Sequence, residues 1–360
     1  MDYSTIYSWE VTVDDGVSTP TTETYSFTTE AEMTVRENTI PFDVQGSTVT
    51  SDGSIFLIRP SNDVYKSIDN GYTWTYVSST PRSAGHRNMY CTSQDTLLAA
   101  DFSSTGGQIH RSTNLGVSWS TVITLGNNEA IWSFDEYDGK LYASVYTLLT
   151  SSNGHARVMV SSDDGSSWSL LKQFDSKYRH AHGLFVNKYN GYIYVALGDP
   201  YPDRALMRST DGGSTWTNLE SVYLFTSINA YPDSNVVYVG RDGYPAIYRF
   251  VDDGGSSITL TPVYDNGGGN HNAWEKENVF WMVNVNGRLV FGEVVDSTDY
   301  PVVLGISSPD WMSFTKVLEK SPDSDWTGFP YATSSYWPLS TIIIKSDALS
   351  GDMNVILSWE

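Results

Sequence analysis

Apolar and polar residues alternate in short runs along most of the chain, and almost nowhere do apolar residues recur at helical spacing. Asn88–Thr92, Thr96–Phe102, Gln108–Ser112 and Ser118–Ile123 each read as a strand, separated by turn residues. The same four-strand cadence returns at Gly183–Asn187, Tyr192–Leu197, Ala205–Ser209 and Thr215–Leu219. It returns again at Ser227–Ala230, Val236–Gly240, Ala246–Phe250 and Ile258–Val263, and at Val279–Val285, Arg288–Val294, Val302–Ile306 and Ser313–Leu318. The pattern predicts an all-β chain of four-stranded antiparallel units.

A repeated turn punctuates these units. Ser67-Ile-Asp69-Asn-Gly71-Tyr-Thr73-Trp74 aligns without gaps with Ser112-Thr-Asn114-Leu-Gly116-Val-Ser118-Trp119. Ser161-Ser-Asp163-Asp-Gly165-Ser-Ser167-Trp168 and Ser209-Thr-Asp211-Gly-Gly213-Ser-Thr215-Trp216 complete the set. Weaker copies stand at Phe250–Ser257 and at Ser307–Phe314, the last without the Asp and the Gly. The spacing between tryptophans is that of one propeller blade. The chemistry is that of a tight turn. Gly supplies positive φ, the Asp or Asn two residues earlier accepts from turn N–H groups, and Ser and Thr tie the strand ends together. The Trp opens the next strand and packs into the blade.

These segments resemble Asp-box (BNR) repeats, found in sialidases and many secreted propellers. The resemblance implies that Asp69, Asn114, Asp163 and Asp211 are structural and that each box marks one blade. Six copies give six blades. Thr333–Tyr336, Thr341–Lys345 and Asn354–Trp359 offer three strands of a seventh, and Glu32–Arg36 the fourth. The expectation is therefore a seven-bladed β-propeller (six being the alternative) over residues 30–360, closed by strands from both termini so that no edge is left unpaired. Residues 1–29 stand apart. Tyr7-Ser-Trp9-Glu-Val-Thr-Val13 and Thr24-Tyr-Ser-Phe27-Thr-Thr29 alternate like a hairpin and resemble the last two strands of a fibronectin type III domain. Two strands bury no core alone, so the expectation is either one piece of a longer multidomain chain or a hairpin or linker that packs on a neighbour.

Charge narrows the partners. The chain carries 42 acidic and 21 basic residues, a net charge of −21. Such a surface repels phosphate backbones and anionic lipid, so neither nucleic acid nor a membrane is the expected partner. A glycan or another surface protein is. The single cysteine, Cys91, excludes an intrachain disulfide and a thiolate metal cluster. The first residues show no export signal. The repeats suggest an extracellular or cell-surface setting.

In Asp-box propellers the boxes lie on one face, and the inner strands begin on the opposite rim. Three of the six histidines fall at that start: His86 in Gly85-His-Arg-Asn, His182 in Arg179-His-Ala-His-Gly, and His271 in Gly269-Asn-His-Asn. They belong to alternate blades, and three imidazoles with an open position would suit one divalent metal such as zinc, manganese or calcium. His155, Asp199, Arg204, Arg241, Asp242 and Tyr244 lie in rim loops; Arg87, Glu129, Trp132, Arg179, Trp274 and Glu275 lie between blades. Arg87, Trp132, Arg179, Asp199 and Trp274 are the expected ligand-binding set. His110, beside a box, reads as structural. Ile58-Arg59-Pro60 only partly matches the sialidase R-I-P motif, so sialidase chemistry is not expected. The stretch 179–199 looks like a segment of secreted Asp-box proteins, and seven-bladed polysaccharide lyases also gather His, Arg and Tyr around the channel mouth. That likeness implies His182 or His271 as base, Arg204 or Arg241 as neutraliser of a carboxylate, and Tyr244 as proton donor. Three readings follow: a glycan-binding propeller, a lyase or hydrolase on acidic glycans, and an adhesive or structural module.

Overall fold

A computed structural model describes residues 6–13, 19, 21–28, 33–37, 40, 42, 44–81, 86–147, 155–198, 203–244, 246–265, 278–294, 302–320, 339, 341–346 and 353–359. Within these the chain is an all-β propeller of six four-stranded antiparallel blades. Blade one is Gly46–Val49, Ile55–Ile58, Asp63–Ser67 and Thr75–Ser79. Blade two is His86–Cys91, Leu97–Asp101, Gln108–Ser112 and Ser120–Thr124. Blade three is Glu129–Tyr137, Lys140–Thr147, Arg157–Ser161 and Ser169–Gln173. Blade four is Ala181–Val186, Ile193–Gly198, Arg204–Ser209 and Thr217–Glu220. Blade five is Phe225–Ala230, Val236–Arg241, Ala246–Val251 and Thr261–Asp265. Blade six is Asn278–Val285, Arg288–Val294, Val302–Ser307 and Phe314–Lys320.

A blade is a twisted sheet with two apolar faces, and each face must be covered by a neighbour. Six buried clusters do this, one in each seam. Phe56, Ile58 and Val64 of blade one meet Met89, Leu97 and Ala99 of blade two. Tyr90 and Leu98 meet Ile131, Leu141 and Val145; Val158 meets Leu184, Val186 and Val195. Tyr194 and Leu206 meet Ile228, Val237 and Phe250, and Tyr238 and Ile247 meet Val279, Leu289 and Phe291. Val49, Ile55 and Leu57 share the last cluster with Trp281, Val285 and Val290, so blades six and one close the ring.

The count corrects the expectation of seven. The strands expected for a seventh blade form a three-stranded sheet: Thr341–Ser346 pairs with Met353–Trp359, which pairs with Met33–Glu37 from the N-terminal side. The remaining strand expected there, Thr333–Tyr336, lies outside the described residues. The seam between blades six and one already has a shared core, into which Ile40, Val44 and Leu339 are packed. Ile6–Val13 and Thr21–Thr28 form the separate hairpin.

The repeated turn is built as its residues require. The Ser161 hydroxyl donates to Asp163 Oδ1 at 2.8 Å and accepts from Gly165 N–H at 2.9 Å. Asp163 in turn accepts from Ser167 N–H and Oγ–H at 2.9 and 2.6 Å. Asp69 and Asp211 repeat the arrangement. Asn114 copies it with its amide, whose Nδ2 donates to Ser118 Oγ at 2.9 Å. Two successive residues are left-handed, Asp164 and Gly165 at φ 54° and 79°. At Gly213, φ is 96° and a Cβ would stand 2.7 Å from Leu171 Cδ2, so space and conformation both demand glycine. Trp119, Trp168 and Trp216 each donate their indole N–H to the carbonyl of their own turn glycine. In the sixth copy Trp311 occupies the glycine's position, at φ 55° and fully buried against Tyr231 and Tyr238, while Phe314 stands where the other copies have Trp.

Arginines staple neighbouring turns together. Arg111, just before the serine of its turn, donates to the Asp164 carboxylate and carbonyl of the next blade at 2.8 and 2.7 Å. Arg208, at the same position two blades on, pairs with Asp252 and donates to Gly254 O and Gly255 O at 3.1 and 2.9 Å. Tyr194 donates to the other Asp252 oxygen at 2.7 Å. Arg208 and Asp252 are almost wholly buried.

Two outcomes are expected. Arg208→Ala leaves the Asp252 carboxylate buried without its cation and should lower stability by about 3–5 kcal/mol in denaturant unfolding. The Asp163 carboxyl is held at about 2, against an ordinary 3.8, chiefly by the Ser167 hydroxyl and N–H. Its contribution is complete above pH 4 and is lost as pH falls toward 2. Asp163→Asn, which copies Asn114, should keep the fold at pH 7 and flatten the acid limb of stability between pH 4 and 2; an unaltered acid limb would contradict this.

Candidate functional site at the channel mouth

The inner strands begin on the rim opposite the repeated turns, and five of them carry an irregularity at the same place. The pairing register slips between His86 and Asn88, Ile131 and Ser133, Ala181 and Gly183, Phe225 and Ser227, and Val279 and Trp281. Each slip is a β-bulge that frees one residue from the ladder: Arg87, Trp132, His182, Thr226 and Phe280. A bulge re-aims the side chain it carries and is common beside functional sites. Here five blades place such a residue around one channel mouth. Trp132 and Phe280, from blades three and six, approach within 5.8 Å between ring centroids and span the channel.

An aromatic series runs outward from there. Trp132 stacks on Tyr146 at 4.4 Å, and Tyr146 stacks on His180 at 3.8 Å with 9° between planes. His182 meets both Tyr146 and His180 edge-on at 5.5 Å. Arg179 Nε donates to His180 Nε2 at 2.6 Å. An arginine can only donate, so that nitrogen must carry a lone pair and the ring is neutral. Burial, then the charges of His182 and Arg179, pushes the His180 pKa down to about 2. His182 Nε2 lies 2.6 Å from the Gly198 carbonyl and therefore donates to it. Burial lowers the His182 pKa, while the Asp242 carboxylate beside it pulls the other way; burial raises Asp242. Gly198, at φ 117°, lies so close to Arg204 that a Cβ would stand 2.5 Å from the Arg204 Cα.

Blade five adds a second group. The Arg241 guanidinium lies 4.6 Å from the centroid of Tyr223 and 5.0 Å from that of Tyr244. Tyr223 stacks on Tyr248 at 5.5 Å. The Tyr244 hydroxyl donates to Asp265 at 2.7 Å. Burial and that bond push its pKa up to about 12, so it is protonated at neutral pH.

Of the expected residues, Trp132, Arg179, His182, Arg204, Arg241 and Tyr244 stand on this rim. Trp132, Arg179 and His182 are linked through Tyr146 and His180; Arg241 connects through its neighbour Asp242. His86 and Arg87 are placed by their backbones at the start of blade two, and their side chains lie outside the described residues. Asp199, His271 and Trp274 also lie outside them, so convergence of the histidine trio on a metal is not visible. The one member described, His182, commits Nε2 to a carbonyl, which leaves Nδ1 as its only ligating atom. Among the described residues no group of three or more His, Cys, Asp or Glu could hold a metal ion. His110 is structural as expected: fully buried, with contacts to Thr121 and Asp101 at 3.0 and 3.2 Å. Tyr146, His180, Phe280 and Tyr223 were not selected from sequence. Tyr146 could have been, since second strands end on this rim.

No protein-family model matches the chain, and no curated protein matches it. Solved structures do. Virginiamycin B lyase from Staphylococcus aureus aligns over 91% of this chain and 100% of its own, with a TM-score of 0.58 at 15% identity. YCF48 from Cyanidioschyzon merolae aligns over 91% and 98%, at 0.56 and 12% identity. An ancestral GH74 enzyme aligns over 85% of this chain and 43% of its own, at 0.58 and 16% identity. At these identities the likeness shows the β-propeller fold alone. The fibronectin resemblance of the hairpin finds no support among them. No helix among the described residues is long and apolar enough to cross a membrane.

The neutral histidines have a pH signature. Unfolded, His180 takes a proton near 6.5; folded, it does not until about 2. Its contribution to stability is present above pH 6.5 and lost as pH falls below it. Its imidazole resonance should show no titration between pH 8 and 5, and His180→Gln should flatten the decline of thermal stability over that interval. A titration midpoint near 6.5 would contradict the buried, neutral assignment.

Proposed function

We propose that this chain is an extracellular or cell-surface β-propeller that binds carbohydrate at the channel mouth. The observation that carries the reading is the partly exposed pair Trp132 and Phe280, in edge contact on the rim where the inner strands begin and backed by Tyr146 and the buried His180. Sugar rings present apolar C–H faces that stack on such platforms, and polar groups at the platform's edge select among them. Arg179, Asp242 and Arg204 supply that edge. The likeness in fold to an ancestral GH74 enzyme is compatible with a carbohydrate-related propeller. Cleavage of the bound glycan, with His182 or His271 as base and Tyr244 as proton donor, and a divalent metal held by His86, His182 and His271, belong to the same reading as its catalytic form.

A glycan panel read by surface binding tests it. Binding to a restricted set of oligosaccharides is expected, weakened at least tenfold by Trp132→Ala with the fold retained. Metal analysis of the purified protein and reducing-end assays on the same set separate binding from cleavage. No binding across the panel would leave the propeller as a structural module.

A further inference from the structure

The geometry points to Arg241 as a carboxylate-binding residue, and so to a ligand bearing carboxylates: a uronate-containing glycan, on the carbohydrate reading above. Three observations support it. First, Arg241 feels the neighbouring Asp242 carboxylate only through space and forms no direct ion pair with a described carboxylate. In a chain with twice as many acidic as basic residues, Arg111, Arg157 and Arg208 are each paired with a carboxylate. Arg241 makes no side-chain hydrogen bond or ion pair with any described residue, and its buried Nε has no partner among them.

Second, the residue is positioned by contacts that leave its donors unused. The guanidinium rests on the faces of Tyr223 and Tyr244. Tyr223 is backed by Tyr248, and the Tyr244 hydroxyl is tied to Asp265. Stacking holds the planar group by its faces, whereas its N–H groups point outward in the plane. That edge matches a carboxylate in bidentate geometry, and its rigidity reduces the entropy lost on binding.

Third, its place is on the rim of the proposed site. Arg241 ends the second strand of blade five and pairs with Phe225, the first residue of that blade's inner strand. The next residue, Asp242, is the carboxylate beside His182, which meets Tyr146 of the aromatic series. A sugar on the aromatic platform and a carboxylate on Arg241 can therefore belong to one chain of residues in an oligosaccharide.

The test compares three probes by titration calorimetry on the whole chain: oligogalacturonate and oligoglucuronate, the same oligosaccharides with their carboxyls reduced to alcohols, and oligoglutamate as an acidic chain without sugar. The uronates should bind at least tenfold more tightly than their reduced forms, and the advantage should shrink in high salt. Arg241→Gln should erase the advantage while leaving the reduced sugars bound as before, and Trp132→Ala should weaken both. Arg241→Lys keeps the charge without the planar fork; it should recover part of the advantage and serves as the readout if Arg241→Gln does not fold. Equal binding of uronate and reduced forms would overturn the assignment and leave the glycan reading standing. Tight, Arg241-dependent binding of oligoglutamate with no sugar bound would keep the anion site and overturn the glycan reading. No binding of any probe would overturn both.

Discussion

Each blade is a twisted sheet that buries both faces against its neighbours, and the rest of the structure depends on that requirement. Six shared clusters satisfy it in a closed ring, and no blade has a private core. Closure fixes the inner strands side by side around a channel and brings their first residues to one rim. The repeated turns are thereby placed on the other face. There they hold strand ends in register, and Arg111 and Arg208 tie one turn to the next.

The two faces divide the labour of the fold. On the turn face the polar groups are matched mostly within the turn: serine to aspartate or asparagine, that residue to the next serine or threonine, and the indoles of Trp119, Trp168 and Trp216 to a glycine carbonyl, Trp74 being the exception. On the mouth the inner strands break register. A bulge costs ladder hydrogen bonds, yet five blades keep one in the same place. The residues so freed include the Trp and His around which the aromatic series is built. The ring supplies rigidity and the bulges supply direction, the combination a preorganised binding surface requires.

Asp69, Asn114, Asp163 and Asp211 were legible because their partners lie within four residues, so spacing alone dictates the contacts. Trp311 shows the limit of the same rule. The motif there reads as degenerate, and the structure rebuilds the turn with other residues: Ser308 donates to Asp310, Trp311 N–H closes on the Ser308 carbonyl, and the buried Trp311 is the left-handed residue. The candidate site was half legible. Topology named the rim, and with it Trp132, Arg179, His182 and Arg241. It could not show that Tyr146 lies between Trp132 and His180, because those residues come from two strands of blade three and the residue that leads into blade four.

The sequence by itself determined the strand cadence, the antiparallel blades and the turn chemistry, since all of these are set by residues near one another in the chain. The tertiary structure decided the number of four-stranded blades, the bulges, and which rim residues touch. Those depend on how twisted sheets pack across seams and on register between strands, properties of distant residues that no local pattern encodes.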